Sequence, residues 1–333
     1  MHPPIGTSGA FGSPASDTVR WRILGRVSSR PAPFVPDSQA AVLDGLADAI
    51  DTVLDAQFDW INRTRWKPVQ HSPYWHEARL LRRQKGPGGR WDDSVAVDAL
   101  GLSTTFLVAM AQNMEALASL LRARQVIVPL PPLCRSLLEA AGRVAWMLEP
   151  LPAREGRVDY IDVRIRAARI AAVQLEDYTR MKTVTKNLKH ASAPKWGAEV
   201  RKLRRDRLPD RFLRLEIDDQ DGHLVILKQQ LPGLRESADV FERLHHIDWK
   251  AGGLYDYLSN STHSTPHALF ELTAVTPEGY RRFELEDACL PCRLCKMAIF
   301  TMLHTWGLIA GYIGQLHEVV DQLGRTVAAL PES

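Results

Sequence analysis

Residues 291–327 read PCRLCKMAIFTMLHTWGLIAGYIGQLHEVVDQLGRTV. Within them Cys292, Cys295, Ile299, Met302, Trp306, Ile309, Ile313, Leu316, Val320, Leu323 and Val327 step by alternating threes and fours. That is the apolar stripe of a helix lying along a partner for its whole length. At about 1.5 Å per residue such a helix runs about 50 Å. Pro291 sits near its start, where a missing N–H does no harm. Met297 to Gly314 carries no Asp, Glu, Lys or Arg over 18 residues, the lower limit for a membrane span. His304, Thr301, Thr305 and three glycines lie in that window, and the pattern continues past Gln315. A buried core helix is therefore expected.

Other segments repeat the helical period. Leu43, Leu46, Ile50, Leu54, Phe58 and Ile61 mark one face, on a helix beginning near Ser38. Leu102, Phe106, Ala109, Asn113, Leu117 and Leu120 mark a second. Ile161, Ile165, Ala168, Ala172 and Leu175 mark a third, with Arg164, Arg166 and Arg169 expected to point outward. Leu133 to Leu148 reads as a helix entered through VPLPP. Strand signals are few. FELTAV, the turn TPEG and YRRFEL suggest a short hairpin over residues 270–285, and RLEIDDQDGHLVILK reads as a second hairpin or a surface excursion. The expected fold is all-α, a multi-helix bundle of long antiparallel helices with a short β-hairpin decoration.

With 333 residues, 45% hydrophobic and 24% charged, the chain has the composition of a water-soluble globular protein. Six prolines fall in the first 36 residues among scattered Gly and Ser, so residues 1–36 are expected to be a flexible leader without a targeting signal. Residues 37–330 are expected to form a single helical-bundle domain with a basic excursion near 180–235. Four cysteines exclude a disulfide-stapled scaffold and fit a reducing cytoplasm. Phosphate-loop, dinucleotide, nucleophile-elbow and zinc-protease motifs are absent; HEARL at residues 76–80 lacks a second histidine.

Cys289, Cys292 and Cys295 have C-x-x-C-x-x-C spacing, with Cys134 as a remote fourth thiol. Iron–sulfur ligation uses such spacing on irregular loops. Here the last two cysteines continue an apolar helical stripe, where cysteine acts as a small hydrophobe. No cofactor and no metal is assigned. His245, His246, His263 and His267, with Asp248 or Asp256, match no standard metal spacing.

From Arg180 to Arg214 twelve Lys or Arg stand against three Asp or Glu, an excess of nine positive charges in a chain whose net charge is +3. Lys195, Arg201, Lys202, Arg204, Arg205 and Arg207 form its centre, with Trp196 available to stack on a base. Such a patch attracts phosphate backbones by releasing counterions. The alternative is a solvated face whose charges pair with the net-acidic remainder.

Two polar stripes run along otherwise apolar helices. Arg135, Glu139 and Arg143 lie at i, i+4 and i+8, opposite Leu137, Leu138, Ala141, Val144 and Leu148. Tyr255, Ser259 and His263 have the same spacing, ahead of the helix-ending Pro266. A Ser259–His263 contact one turn apart is generic to helices, and no catalytic residue is assigned.

This pairing of R-x-x-x-E with a later Y-x-x-x-S-x-x-x-H, over roughly residues 95–325, resembles a family of uncharacterised bacterial all-α proteins related to the HEPN superfamily. The resemblance implies a bundle in which the two stripes face each other across a groove, and relatives that are ribonucleases or nucleotide-binding accessory proteins. Their catalytic signature is Arg, four to six residues, then His. Arg65 to His71, RWKPVQH, matches it but is interrupted by Pro68 and lies outside the resembling region, so the catalytic role is not carried over. The expectation is a cytoplasmic protein binding RNA or a nucleotide at Arg135, Glu139, Arg143, Tyr255, Ser259 and His263. The alternative is a non-enzymatic homo-oligomer or partner-docking protein. No membrane is invoked.

Overall fold

A computed structural model describes residues 37–316, except 84, 87–88, 91–93, 126–128, 151–159, 207–217, 221–222, 227–228, 247–250, 263–272, 276–280 and 284–288. The leader at 1–36 lies outside the described residues.

The protein is all-α. Among the described residues its helices are α1 (Asp37–Thr64), α2 (Pro73–Arg83), α3 (Ser94–Arg122), α4 (Leu130–Leu148), α5 (Tyr160–Asn187), α6 (Ala193–Asp206), α7 (Leu234–His245), α8 (Ala251–Thr262) and α9 (Cys289–Tyr312). Strand pairing is brief. Lys85–Gly86 meets Gly89–Arg90, and Asp218–Gln220, His223–Ile226 and Gln229–Gln230 form a three-strand patch. Thr273–Val275 runs antiparallel to Arg281–Phe283. The turn of the hairpin expected over 270–285 lies outside the described residues.

Helix α4 sits at the centre, packed on α3, α7, α8 and α9. Prolines in its first turn need no hydrogen-bonded N–H. Leu137, Leu138, Ala141, Val144 and Leu148 are buried as their spacing demands. Gly142 lets α7 come within backbone range: a Cβ there would lie 2.7 Å from Ser237 Cβ and closer still to its carbonyl. Around α4, Trp306 of α9 meets Trp60 of α1 edge-on at 5.6 Å, and Trp60 meets Trp66 at 5.2 Å.

Several expectations need correction. Helix α9 is 24 residues long, about 36 Å, and stops at Tyr312 rather than continuing past Gln315. Gly314 takes a left-handed conformation at φ +81°. The Gln315 N–H bonds to the Ala310 carbonyl at 2.7 Å and that of Gly314 to Gly311 at 3.1 Å. This is a Schellman ending, which glycine enters without Cβ strain. On α1, Phe58 is 65% exposed, and the buried line runs instead through Ile50, Val53, Gln57 and Trp60. Steps of four residues turn about 40° beyond a full circle each, so 46, 50, 54, 58 winds off the core while alternating steps stay on it.

On α3 the buried line is Ala99, Ser103, Leu107, Met110, Met114, Leu117 and Leu121, and Ala109 is exposed. This helix is apolar on most sides, so its period is blurred. Both α3 and α9 are long and apolar enough to cross a membrane by length and composition, but 72% of that window is buried in α9 and 33% in α3. On α5, Arg166 does not point outward. It is 2% exposed.

Candidate functional site

Helices α4 and α8 pack together, and this brings three of the six expected groove residues into contact. Arg135 Nε donates to Glu139 Oε1 at 2.8 Å one turn along α4. The Tyr255 hydroxyl, from α8, donates to the same oxygen at 3.1 Å. The Arg135 guanidinium lies over the Tyr255 ring at 5.2 Å, a cation–π distance. Tyr255 also packs against Ala238 of α7, which fixes its ring. Burial first, then the Glu139 charge, push the Tyr255 hydroxyl's pKa up. Burial alone would lower that of Arg135, but Glu139 and Tyr255 outweigh it and hold it above the ordinary value. The Arg135 side chain keeps 14% of its surface exposed and Glu139 24%, so the cluster opens to solvent.

The remaining groove residues are placed differently. Ser259 is half-buried, one turn beyond Tyr255 on α8. Ser261 and Thr262 donate their hydroxyls to the Tyr257 and Leu258 carbonyls of their own helix. His263 lies outside the described residues. Arg143 does not join Tyr255. It reaches α5, donating to Asp177 at 3.1 Å with Glu176 at 3.7 Å, and sits 5.9 Å over the Phe106 ring. On a central helix, two turns suffice to change which neighbour a long side chain meets.

Glu176 also pairs with Arg180 at 2.5 Å, so Arg143 ties α4 to the root of the basic segment. There α5 and α6 pack as a hairpin through Leu175, Val200 and Tyr178, an apolar cluster separate from the main core. Lys182, Lys186, Lys189, Lys195, Arg201 and Lys202 are all exposed. Among the described residues none of these six forms an ion pair. Lys195 Nζ lies 5.4 Å over the half-buried Trp196 ring, which stands 5.9 Å from Tyr178. The side chains of Arg204 and Arg205, and all of Arg207, lie outside the description.

A second Arg–Glu–Tyr cluster was not anticipated. Arg166 of α5 donates to Glu77 of α2 through Nη2 at 2.9 Å and Nε at 3.2 Å. Its Nη1 donates to the Met147 carbonyl and to that of Glu149 at 3.3 Å, at the end of α4. Tyr312 of α9 donates to Glu77 Oε2 at 2.8 Å, under the Arg166 guanidinium. Burial first, then Glu77, push the Tyr312 hydroxyl far up. Burial would lower the Arg166 pKa, but Glu77 and Tyr312 more than offset it. Alongside, Arg169 donates to the Trp146 carbonyl and pairs with Glu149 at 2.9 Å. Two cations thus face the negative end of the α4 dipole.

Three of the four thiols are core residues, and the side chain of Cys289 lies outside the description. Cys134, Cys292 and Cys295 are buried thiols outside any disulfide, and burial pushes Cys134 up to about 12, which makes it a poor nucleophile and ligand. Among the described residues no three His, Cys, Asp or Glu gather in a metal-holding group. Arg65 and His71 sit in the connection between α1 and α2, both in left-handed conformation. Comparison with protein-family models, curated proteins and solved structures gave no match for this chain.

Proposed function

We propose that this protein binds RNA, using the α5–α6 hairpin for the phosphate backbone and the Arg135–Glu139–Tyr255 cluster as a local contact. The observation that carries the reading is the set of six exposed cations along the α5–α6 hairpin, five on the helices and Lys189 in the turn between them, with Trp196 among them. Unpaired surface charge releases counterions on meeting phosphates, and an adjacent indole offers a stacking face that tolerates any base. At the α4–α8 cluster, Glu139 orients Arg135 toward a phosphate and Tyr255 holds the guanidinium in plane. Arg143 is a brace between α4 and α5 and makes no RNA contact. The resemblance carried by Arg135, Glu139, Tyr255, Ser259 and His263 points to the same class of ligand.

The test is a titration of fluorescent single-stranded RNA at several salt concentrations, with wild type and a Lys182→Ala/Lys186→Ala/Lys189→Ala variant. The triple variant is expected to bind more weakly and to lower the log–log salt slope by about 2. Affinity that is independent of salt, or unchanged in the variant, contradicts the reading.

A second reading, self-association, is favoured by α3. Val97 and Val108 are 49% and 51% exposed on a largely uncharged outer face, and Gly101 has open space beside it. A second copy laid on this face would cover it. Light scattering behind size exclusion is expected to show a dimer that Val108→Glu dissociates; a monomer at all concentrations contradicts this.

A further inference from the structure

We infer that His245 and His304 form a binding site for a divalent transition-metal ion of the nickel or copper kind, bridging α7 and α9. His245 is the last residue of α7, and His246 turns the chain away with φ +53°. His304 lies two-thirds of the way along α9. Their Nδ1 atoms face each other at 3.0 Å, and the rings stand 4.5 Å apart at 69°. Phe241 lies against His245 at 4.6 Å and Phe300 against His304 at 4.0 Å, so two aromatic walls hold the imidazoles.

Without metal, one Nδ1–H donates to the other Nδ1. An ion about 2.05 Å from each nitrogen would subtend roughly 95° at the observed spacing. That is near the cis angle of tetragonal or octahedral coordination, which Cu²⁺ and Ni²⁺ favour. A donor set of imidazoles selects against Mg²⁺ and Ca²⁺. Both residues are half-buried.

Binding through Nδ1 places the ring proton on Nε2, and His245 Nε2 is buried with no hydrogen-bond partner among the described residues. A ligand histidine without that outer partner binds about 10–100-fold more weakly. The expected affinity is therefore modest.

The experiment is titration of the full chain at pH 7.5, after chelator removal, with Cu²⁺ and Ni²⁺ separately. Wild type, His245→Gln, His304→Gln and the neighbouring His246→Gln are compared for folding by circular dichroism in chelator. One ion per chain is expected, with at least tenfold loss in His245→Gln and His304→Gln, and wild-type binding in His246→Gln. Pulsed electron paramagnetic resonance of the wild-type Cu²⁺ complex should show two imidazoles, a readout that does not depend on any variant folding. A single imidazole, or a spectrum and affinity unchanged by His304→Gln, places the ion on other histidines and overturns the proposal.

Discussion

Two Arg–Glu–Tyr clusters stand in this molecule with nearly the same geometry and opposite surroundings. In each, the guanidinium lies over a tyrosine ring at 5.2 or 5.3 Å, and the tyrosine hydroxyl donates to the glutamate the arginine also holds. The Arg166–Glu77–Tyr312 cluster is shut inside, with side-chain exposures of 2% for Arg166 and 5% for Glu77. All three guanidinium nitrogens are engaged there, two by carboxylate and one by carbonyls at the end of α4. It joins α2, α5, α9 and α4 and has no face left for a ligand. Among the described residues the Arg135–Glu139–Tyr255 cluster joins α4 and α8, with the Tyr255 ring also against Ala238 of α7, and it keeps part of its surface in solvent. Chemistry alone does not separate a brace from a binding site; solvent access does.

Breaking the closed cluster should produce the largest effect. Glu77→Gln leaves the Arg166 charge buried and uncompensated, and should cost about 3–5 kcal/mol of unfolding free energy in urea titration. Tyr312→Phe keeps the ion pair but removes one hydrogen bond to a charged oxygen, for about 1–3 kcal/mol. In the open cluster Glu139→Gln should cost no more than about 1 kcal/mol, because water can replace the lost partner, while weakening RNA binding. If Glu77→Gln and Glu139→Gln destabilise equally, the distinction between the clusters fails.

The His245–His304 pair sharpens the comparison through pH. His245 is lowered to about 4 when folded, against an ordinary value near 6.5, by burial first and then by His304 and His246. Between those values the unfolded chain binds the extra proton and the folded one does not, so stability must rise with pH across that window. In chelator, the melting temperature should therefore fall as pH drops from about 6.5 toward 4, more steeply for wild type than for His245→Gln. Parallel curves would show that the pair does not contribute.

The same comparison explains what was legible in the sequence. Arg135 and Glu139 are one helical turn apart, so their pairing follows from spacing alone, and the later tyrosine stripe supplied its partner. Glu77, Arg166 and Tyr312 lie 89 and 235 positions apart at their contacts. No local period joins them, and a charged residue such as Arg166 ordinarily marks the solvent side of a helix. Arg143 shows the limit from the other direction: its place on the ladder was legible, but its partners Asp177 and Glu176 belong to another helix. The bundle itself was readable from apolar spacing, most securely on α4. On α3 the surplus of apolar residues hides which side is buried, and on α9 the apolar period runs on through Leu316 although Gly314 ends the helix.

The most direct test of the open cluster is RNA affinity measured beside thermal stability for Arg135→Ala. The account predicts at least a tenfold rise in Kd for single-stranded RNA, with a melting temperature close to wild type, since Tyr255 remains to hold Glu139. An unchanged Kd, or a weakened one that appears only together with a collapse in melting temperature, would make this cluster a second brace and contradict the proposed site.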